Sequence, residues 1–486
     1  MAAEYDLWVM RGILSSGGYV PYRRLQRGAV AQVLGTGGGK GTRSVASHDE
    51  DTTTMGVEAA RLALRAMPAA APSALWFSTA TPAYLDKTNA SALHAALRLA
   101  SGVPAYDFGG ALRSGVGALQ AALAGSGTTL VVLSDQRDGL PTSADESAGG
   151  DGAAALLIGD DTPSTPAIAE YLGGAAASDE FLDRWRAPGD QRDRLWEERF
   201  GETRYVALGQ EAWNAGLKTA GLSVADVSRV VVVGMHGRAA KALAKKLGVS
   251  AEALVDDLTG TVGQTGTAHV GLTLADQLEQ ATPGEIIAVL SLADGADALF
   301  FRTTDALASW TPERTVADQV AQAADLPYGK FLSWRGMVTL EPPRRPEPQR
   351  VSATAAQRSE AWKFGFVGSK DRSSGAVHLP PSRISMDGGA VDDMEPAARA
   401  DAQATIATFT IDRLAYSPSP PIVFAILDFD GGGRFPVELT DVDADAVAIG
   451  DKVEMTFRRL FTADGIHNYF WKARPVRRRV SPKSEA

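Results

Sequence analysis

No cysteine occurs among the 486 residues. Disulfides, thiolate metal ligands and a thiol nucleophile are therefore excluded, although this absence does not identify a redox compartment. Long apolar runs are also missing: no stretch reaches the roughly 18 residues of a membrane span. The opening MAAEYDLWVMRGILSSGGYVPYRRL has no basic flank followed by a sustained apolar core. No membrane association and a cytoplasmic location are expected. Positive charge is in deficit, with 48 Lys and Arg against 58 Asp and Glu and a net charge of -10. That balance argues against broad nucleic-acid binding, despite the locally basic tail KARPVRRRVSPKSEA. The glycine run GTGGGKGT lacks a Gly-Lys-Ser/Thr at P-loop spacing and reads as a flexible loop.

Hydrophobic residues make up 45% of the chain, enough for sizeable cores. Up to about Thr304, short β-rich runs such as Leu130 to Leu133 and Val230 to Val233 alternate with Ala-rich helical stretches. This alternation predicts an α/β fold of layered sheets and helices. DGAAALLI from Asp151 is echoed by DGADALFF from Asp294, each a glycine turn entering an apolar strand, which predicts a duplicated fold with halves at 1–165 and 166–305. A Pro- and Arg-rich stretch, EPPRRPEPQR, marks 306–359 as a surface connector. Beyond Met394 the runs ATFTI, PIVFAILDF, RFPVELT, KVEMTFRRLF and HNYFWKA follow one another without helices. They predict a small all-β barrel, an OB-fold, over 396–480.

GYVPYRRL, DEDTTTMGVEAARLAL, DFGGALRSGVGALQAAL, ESAGGDGAAALLIG, MHGRAAKALAKKLG and VGQTGTAHVGLTLADQL occur in this order. On these segments the first module resembles the thiolase superfamily, more narrowly its HMG-CoA synthase-like branch. From GKFLSWRG onward the chain resembles the acyl-CoA-associated OB-fold protein that accompanies such enzymes, here fused. The resemblance implies a zinc ribbon over 360–395, whose ligand positions fall on Asp371, Ser374, Ser385 and Gly388. That set cannot hold tetrahedral zinc, so a degenerate, metal-free ribbon is expected, with Asp371 and His378 as nominal ligands at most.

The same resemblance places Leu112 at the superfamily's nucleophile position, where a helix N-terminus normally activates a cysteine. A leucine cannot be acylated, and Ser114, two residues on, points elsewhere from a helical turn. Glu146 falls at the family's catalytic glutamate, with Asp145 a one-residue alternative; either a proton shuttle or a solvated loop acid is implied. His236, at the end of a predicted strand, matches the histidine that contacts the substrate carbonyl, and Gln264 replaces an asparagine that would complete an oxyanion hole. His269 reads as structural or at the pocket edge. Gly266 stands where relatives carry a tyrosine, so an aromatic wall is missing and a larger acyl group could fit unless neighbours fill the space. Arg238, Lys241 and Lys245 are either contacts to coenzyme A phosphates or a solvated helix face.

Two functions remain open. One is cysteine-independent cleavage or formation of a carbon-carbon bond on an acyl-CoA thioester, by retro-aldol reaction or condensation. The other is a non-catalytic acyl-CoA-binding or scaffold protein. Coenzyme A enters as part of the substrate, with no bound cofactor. The resemblance also implies a homodimer and admits a partner enzyme of the same pathway, with His467 to Trp471 either a substrate wall or barrel core.

Overall fold

A computed structural model describes residues 10–190 and 192–477 of the chain. The opening nine residues and the end of the basic tail, including 478–480 of the expected barrel, lie outside the described residues. Among the described residues, no helix is long and apolar enough to cross a membrane.

A nine-stranded sheet runs through both halves. Its spatial order is Arg229–Gly234, Ile286–Leu292, Ala296–Thr303, Ala169–Ala177, Arg11–Tyr19, Gly152–Asp160, Thr129–Asp135, Ala74–Thr79 and Ala105–Gly109. The halves join where Gly12 and Ile13 pair antiparallel with Glu170 and Ala169. The repeated turn-strand units occupy equivalent places: Gly152–Asp160 and Ala296–Thr303 each pair antiparallel with the innermost strand of their half. Adjacent Gly17 and Gly18 let helices approach opposite faces of the central strand. A Cβ on Gly17 would lie 2.5 Å from Ala59 O, and one on Gly18 would lie 3.0 Å from Leu272 Cδ1.

Helix Thr52–Ala66 starts at a reciprocal cap between Asp51 and Thr54, then runs between sheet and barrel with both sides covered. Its Ala and Met face packs on the sheet, while Arg61 reaches Met455 O at 2.9 Å and Ala400 O at 2.6 Å. The barrel closes through Gln403–Asp412, Ile422–Phe429, Arg434–Leu439, Ile466–Pro475 and Lys452–Ala463, in that spatial order. One apolar core runs from the sheet, through Met55 and Ala59, into Phe457 and Trp471 of the barrel.

Segment 306–359 differs from a bare surface connector. Its helix Tyr328–Trp334 inserts Tyr328, Phe331 and Leu332 into a buried cluster with Leu25 and Val45. The ribbon that follows is a three-stranded sheet of Val367–Asp371, Val377–His378 and Met394–Ala398. At its ligand positions, Asp371 accepts hydrogen bonds from Ser374 Oγ and Ser373 N, both at 2.8 Å. His378 Nε2 accepts from Met386 N at 3.0 Å. Short-range hydrogen bonds thus engage both nominal ligands, Asp371 and His378. His467 to Trp471 are divided: Tyr469 donates to Asp51 at 2.8 Å and Trp471 is in the core, whereas Phe470 is half-buried against Trp362 and His467 N donates to Tyr84 Oη at 2.8 Å.

Candidate functional site

Strand Ala105–Gly109 turns through Gly110, at φ +96°, into helix Arg113–Ala124. That left-handed turn brings Leu112 to the N-terminal end of the helix, at the wall of a cleft of about 130 Å³. Both halves contribute to the cleft, including Arg137 from the first and Asp183, Tyr205 and Asp294 from the second. A smaller pocket of about 20 Å³ adjoins it across Leu112 and Met235 and contains Gln264, Thr267 and His269. Arg113 fastens the halves here, pairing with Asp297 at 2.8 Å and donating to Asp294 O at 2.9 Å. Ser114 Oγ donates back to Gly109 O at 2.9 Å.

A charged flap crosses the cleft. Strand pair Arg184–Trp185 and Arg194–Leu195 brings Asp193 to Arg137 at 2.8 Å, Arg184 at 2.9 Å and Arg186 at 3.6 Å. Asp145 pairs with the same Arg184 nitrogen, also at 2.9 Å. The one-residue alternative to Glu146 is therefore tied to the cleft through an arginine.

The expected proton shuttle is placed otherwise. Glu146 is fully buried on helix Ala144–Ala148, and its carboxylate accepts from Tyr328 Oη at 2.8 Å and Thr142 N at 2.7 Å. Burial, reinforced by this carboxylate, pushes the Tyr328 hydroxyl well above its ordinary range. The cause is the helix Tyr328–Trp334, which supplies a donor that no local pattern around Glu146 foretells. His236 also turns from the cleft, which Met235 lines instead. Its Nδ1 accepts from Ala239 N at 3.1 Å, which leaves Nε2 as the protonated nitrogen 2.9 Å from Glu198 O. Both ring nitrogens are occupied in joining helix Gly237–Ala244 to helix Glu198–Ala220.

Gln264 lines the small pocket together with Leu112, with its Oε1 buried and lacking a hydrogen-bond partner among the described residues. His269 lies beside it; its Nδ1 takes Thr265 N at 3.3 Å, and burial pushes its pKa down to about 4. The missing aromatic at Gly266 leaves no room. A Cβ there would lie 2.3 Å from Asp135 Oδ2 and 2.9 Å from Arg137 Cδ, and φ is +58°. Neighbours fill the space. Of the candidate phosphate contacts, Arg238 pairs with Glu198 at 2.9 Å and Glu202 at 3.3 Å, while Lys241 and Lys245 are exposed.

The cleft's ionisable residues Asp183, Tyr205 and Asp294 escaped sequence reasoning. A usable signal was Asp183 to Arg186, DRWR, a run of opposite charges with an aromatic in a strand-to-helix loop. Burial raises the Asp183 pKa, with His236 and Arg184 opposing. Burial also raises that of Asp294, and Asp183 adds to it while Arg113 opposes. The Tyr205 hydroxyl is likewise raised by burial and by both carboxylates.

Residues 217–299 match the 3-oxoacyl-[acyl-carrier-protein (ACP)] synthase III C-terminal family, and residues 398–458 match the ChsH2 C-terminal OB-fold domain. Over 347 residues the chain is 30% identical to hydroxymethylglutaryl-CoA synthase of Aeropyrum pernix, covering 68% of this chain and 95% of that relative. The chain belongs to the HMG-CoA synthase-like branch of the thiolase superfamily. A second HMG-CoA synthase, from Thermococcus sibiricus, is 28% identical over 344 residues, 68% of this chain and 97% of its own. The fold of this HMG-CoA synthase-like chain resembles that of an HMG-CoA synthase crystallised with CoA, at TM-score 0.59 and 17% identity over 71% of this chain and 94% of the other. It also resembles 3-oxoacyl-(acyl carrier protein) synthase III of Pseudomonas aeruginosa, at TM-score 0.53 and 20% identity over 61% and 99%. The kinship is with enzymes of acyl-CoA condensation chemistry, and the OB-fold module is joined to them in one chain.

Proposed function

We propose that this chain makes or breaks a carbon-carbon bond beside a coenzyme A thioester without forming an acyl-enzyme. The observation that carries the reading is Leu112 at the helix N-terminus, in a cleft that still brings ionisable side chains from both halves together. In the retro-aldol direction a base takes the proton of a β-hydroxyl, the Cα-Cβ bond breaks, and its electron pair passes to the thioester oxygen as an enolate. Protonation at Cα then gives the shortened acyl-CoA and a carbonyl product. Condensation is the reverse. No step needs a thiol. The N-H groups of Leu112 and Arg113 at the start of helix Arg113–Ala124 and the Gln264 side chain are assigned to the thioester oxygen, since Ser114 N and Gly115 N already donate to Ala111 O and Leu112 O. Lys241 and Lys245 are assigned to coenzyme A phosphates, since Arg238 is engaged by two glutamates.

The cleft volume of about 130 Å³ is below the roughly 300–1,000 Å³ of sites that enclose drug-sized ligands. It favours a compact acyl head in this conformation. A homodimer belongs to the same proposal, with Ala105–Gly109 at the end of the sheet leaving an edge unpaired among the described residues. A cytoplasmic site of action and a partner enzyme complete it.

The test is incubation with a panel of β-hydroxyacyl-CoA and acyl-CoA thioesters, followed by mass spectrometry of products, with Gln264→Leu as the variant. Turnover reduced by about 10²–10³ in the variant is expected from the loss of one oxyanion-hole donor. A second reading, non-catalytic acyl-CoA binding, is favoured by the engagement of Glu146 and both His236 nitrogens in protein contacts. Binding without turnover across the panel would decide for it.

A further inference from the structure

With Glu146 and His236 turned inward, the proposed reaction has no assigned base. Two carboxylates lining the cleft, those of Asp183 and Asp294, have no side-chain hydrogen bond or ion pair among the described residues; Asp294 is exposed, whereas Asp183 is buried. Asp183 is 5% exposed and lines the cleft together with Leu112. Among the described residues its carboxylate accepts no hydrogen bond and enters no ion pair, whereas nearby Asp193 is shared by three arginines. Its backbone is fixed: Asp183 O accepts from Trp196 N at 2.8 Å, which anchors the charged flap. We infer that Asp183 is the proton-transfer residue of the cleft, taking the proton from the substrate's β-hydroxyl and returning it to Cα. This inference rests on the carbon-carbon reaction proposed above.

The surroundings are built for that carboxylate. Helix Glu198–Ala220 passes directly beneath it at Gly201, where a Cβ would lie 2.0 Å from Asp183 Oδ1 and 2.9 Å from His236 Cδ2. Only glycine at this position leaves the carboxylate and the imidazole edge side by side. His236 thereby acts on Asp183 rather than on the substrate: its nitrogens are held by Ala239 N and Glu198 O, and its ring walls the carboxylate. Tyr205 and Asp294 face the same space. Asp294 sits at φ +45°, an unusual backbone for a non-glycine residue and one that recurs at functional sites. A base needs a pKa near working pH, and burial moves Asp183 in that direction.

The step balances. Asp183 carboxylate accepts the hydroxyl proton as the Cα-Cβ bond breaks, and the electron pair rests on the thioester oxygen. The neutral carboxylic acid then delivers the same proton to Cα as the enolate collapses, regenerating the carboxylate. In the condensation direction Asp183 removes the Cα proton and returns it to the new alkoxide.

The experiment uses the full chain with two readouts: turnover of a thioester from the panel, and wash-in of deuterium at Cα when the acyl-CoA product alone is incubated with the protein in D2O. Asp183→Asn should lower kcat by about 10²–10⁴, with KM little changed, and abolish wash-in. Asp183→Glu should restore part of both. The wild-type rate should rise with pH as Asp183 ionises under the opposing influence of Asp294, Tyr205, His236 and Arg184; the asparagine variant should lose this limb. Gly201→Ala keeps the carboxylate but displaces it, and carries the same prediction should Asp183→Asn prove unstable. Wild type that turns over while Asp183→Asn keeps turnover and wash-in overturns the assignment of Asp183 alone. Wild type inert in both readouts overturns the reaction proposed in the preceding section.

Discussion

Arg458 is the most consequential buried charge between the α/β body and the barrel. Its guanidinium is fully buried and meets Asp441 of the barrel at 2.8 Å. It also contacts Glu50 of the body and lies 3.9 Å from Asp49. Arg458→Met keeps an aliphatic stem in that space but leaves Glu50 and Asp441 without their cation, while Asp49 retains Lys472 at 3.0 Å. Breaking a buried pair from one side costs about 3–5 kcal/mol, because the abandoned charge stays desolvated. Against a typical stability of about 5–15 kcal/mol that is a large fraction. Glu50 gives the pH sign. Burial already raises its pKa and Arg458 opposes that rise, so the substitution raises it further. A carboxyl that binds its proton more tightly when folded than unfolded gains stability as pH falls, so the deficit of the variant should shrink from pH 8 to pH 5. Urea unfolding at both pH values, followed by circular dichroism and tryptophan fluorescence, measures it. The continuous core predicts coincident transitions in the wild type and an earlier, barrel-weighted transition in the variant. A deficit below about 1 kcal/mol, or one independent of pH, would refute the reasoning.

Glu146→Gln should lose about 1–3 kcal/mol in urea unfolding, because an amide placed to accept from Tyr328 Oη leaves Thr142 N without its acceptor. Its turnover should fall far less than that of Asp183→Asn under the same assay. Gly266→Tyr, the residue that the resemblance implies at this position, should fail to accumulate as folded protein or should melt well below wild type. Its Cβ would collide with Asp135 Oδ2 at 2.3 Å, and the backbone at φ +58° adds roughly 1–3 kcal/mol of strain. Leu112→Cys would place the chain's single thiol at a helix N-terminus, so iodoacetamide labelling should report a pKa below the usual 8.5 or so and should be slowed by a bound acyl-CoA. A thiol pKa at or above that value would show that the helix end does not act on this position.

The architecture was legible because it is written in period and repetition. Alternating β runs and Ala-rich helices gave the layered body, the Asp151 and Asp294 echoes gave equivalent strands, and five turn-separated runs gave the closed barrel. The resemblance implied that Gln264 completes an oxyanion hole with His236; Gln264 lines the small pocket with Leu112, and His236 is not among the residues that line it. The settings of Glu146 and His236 were not legible. Their positions in the chain fit the family pattern, but the direction of a side chain depends on what packs against it from elsewhere. Tyr328, 182 residues on from Glu146, supplies the donor that takes its carboxylate. Glu198 O, 38 residues before His236, takes the imidazole.

The sequence alone determined that no thiol chemistry and no cysteine-held metal exist in this chain, because composition admits no exception. It also determined the ribbon's loss of zinc ligands, residue by residue. Only the tertiary structure decided what stands in their stead: hydrogen bonds from Ser373 and Ser374 to Asp371, and a cleft whose buried carboxylate without a hydrogen bond or ion pair among the described residues is Asp183. The physical reason is that burial, and with it the state of an ionisable group, is a property of neighbours that the fold brings from distant parts of the chain.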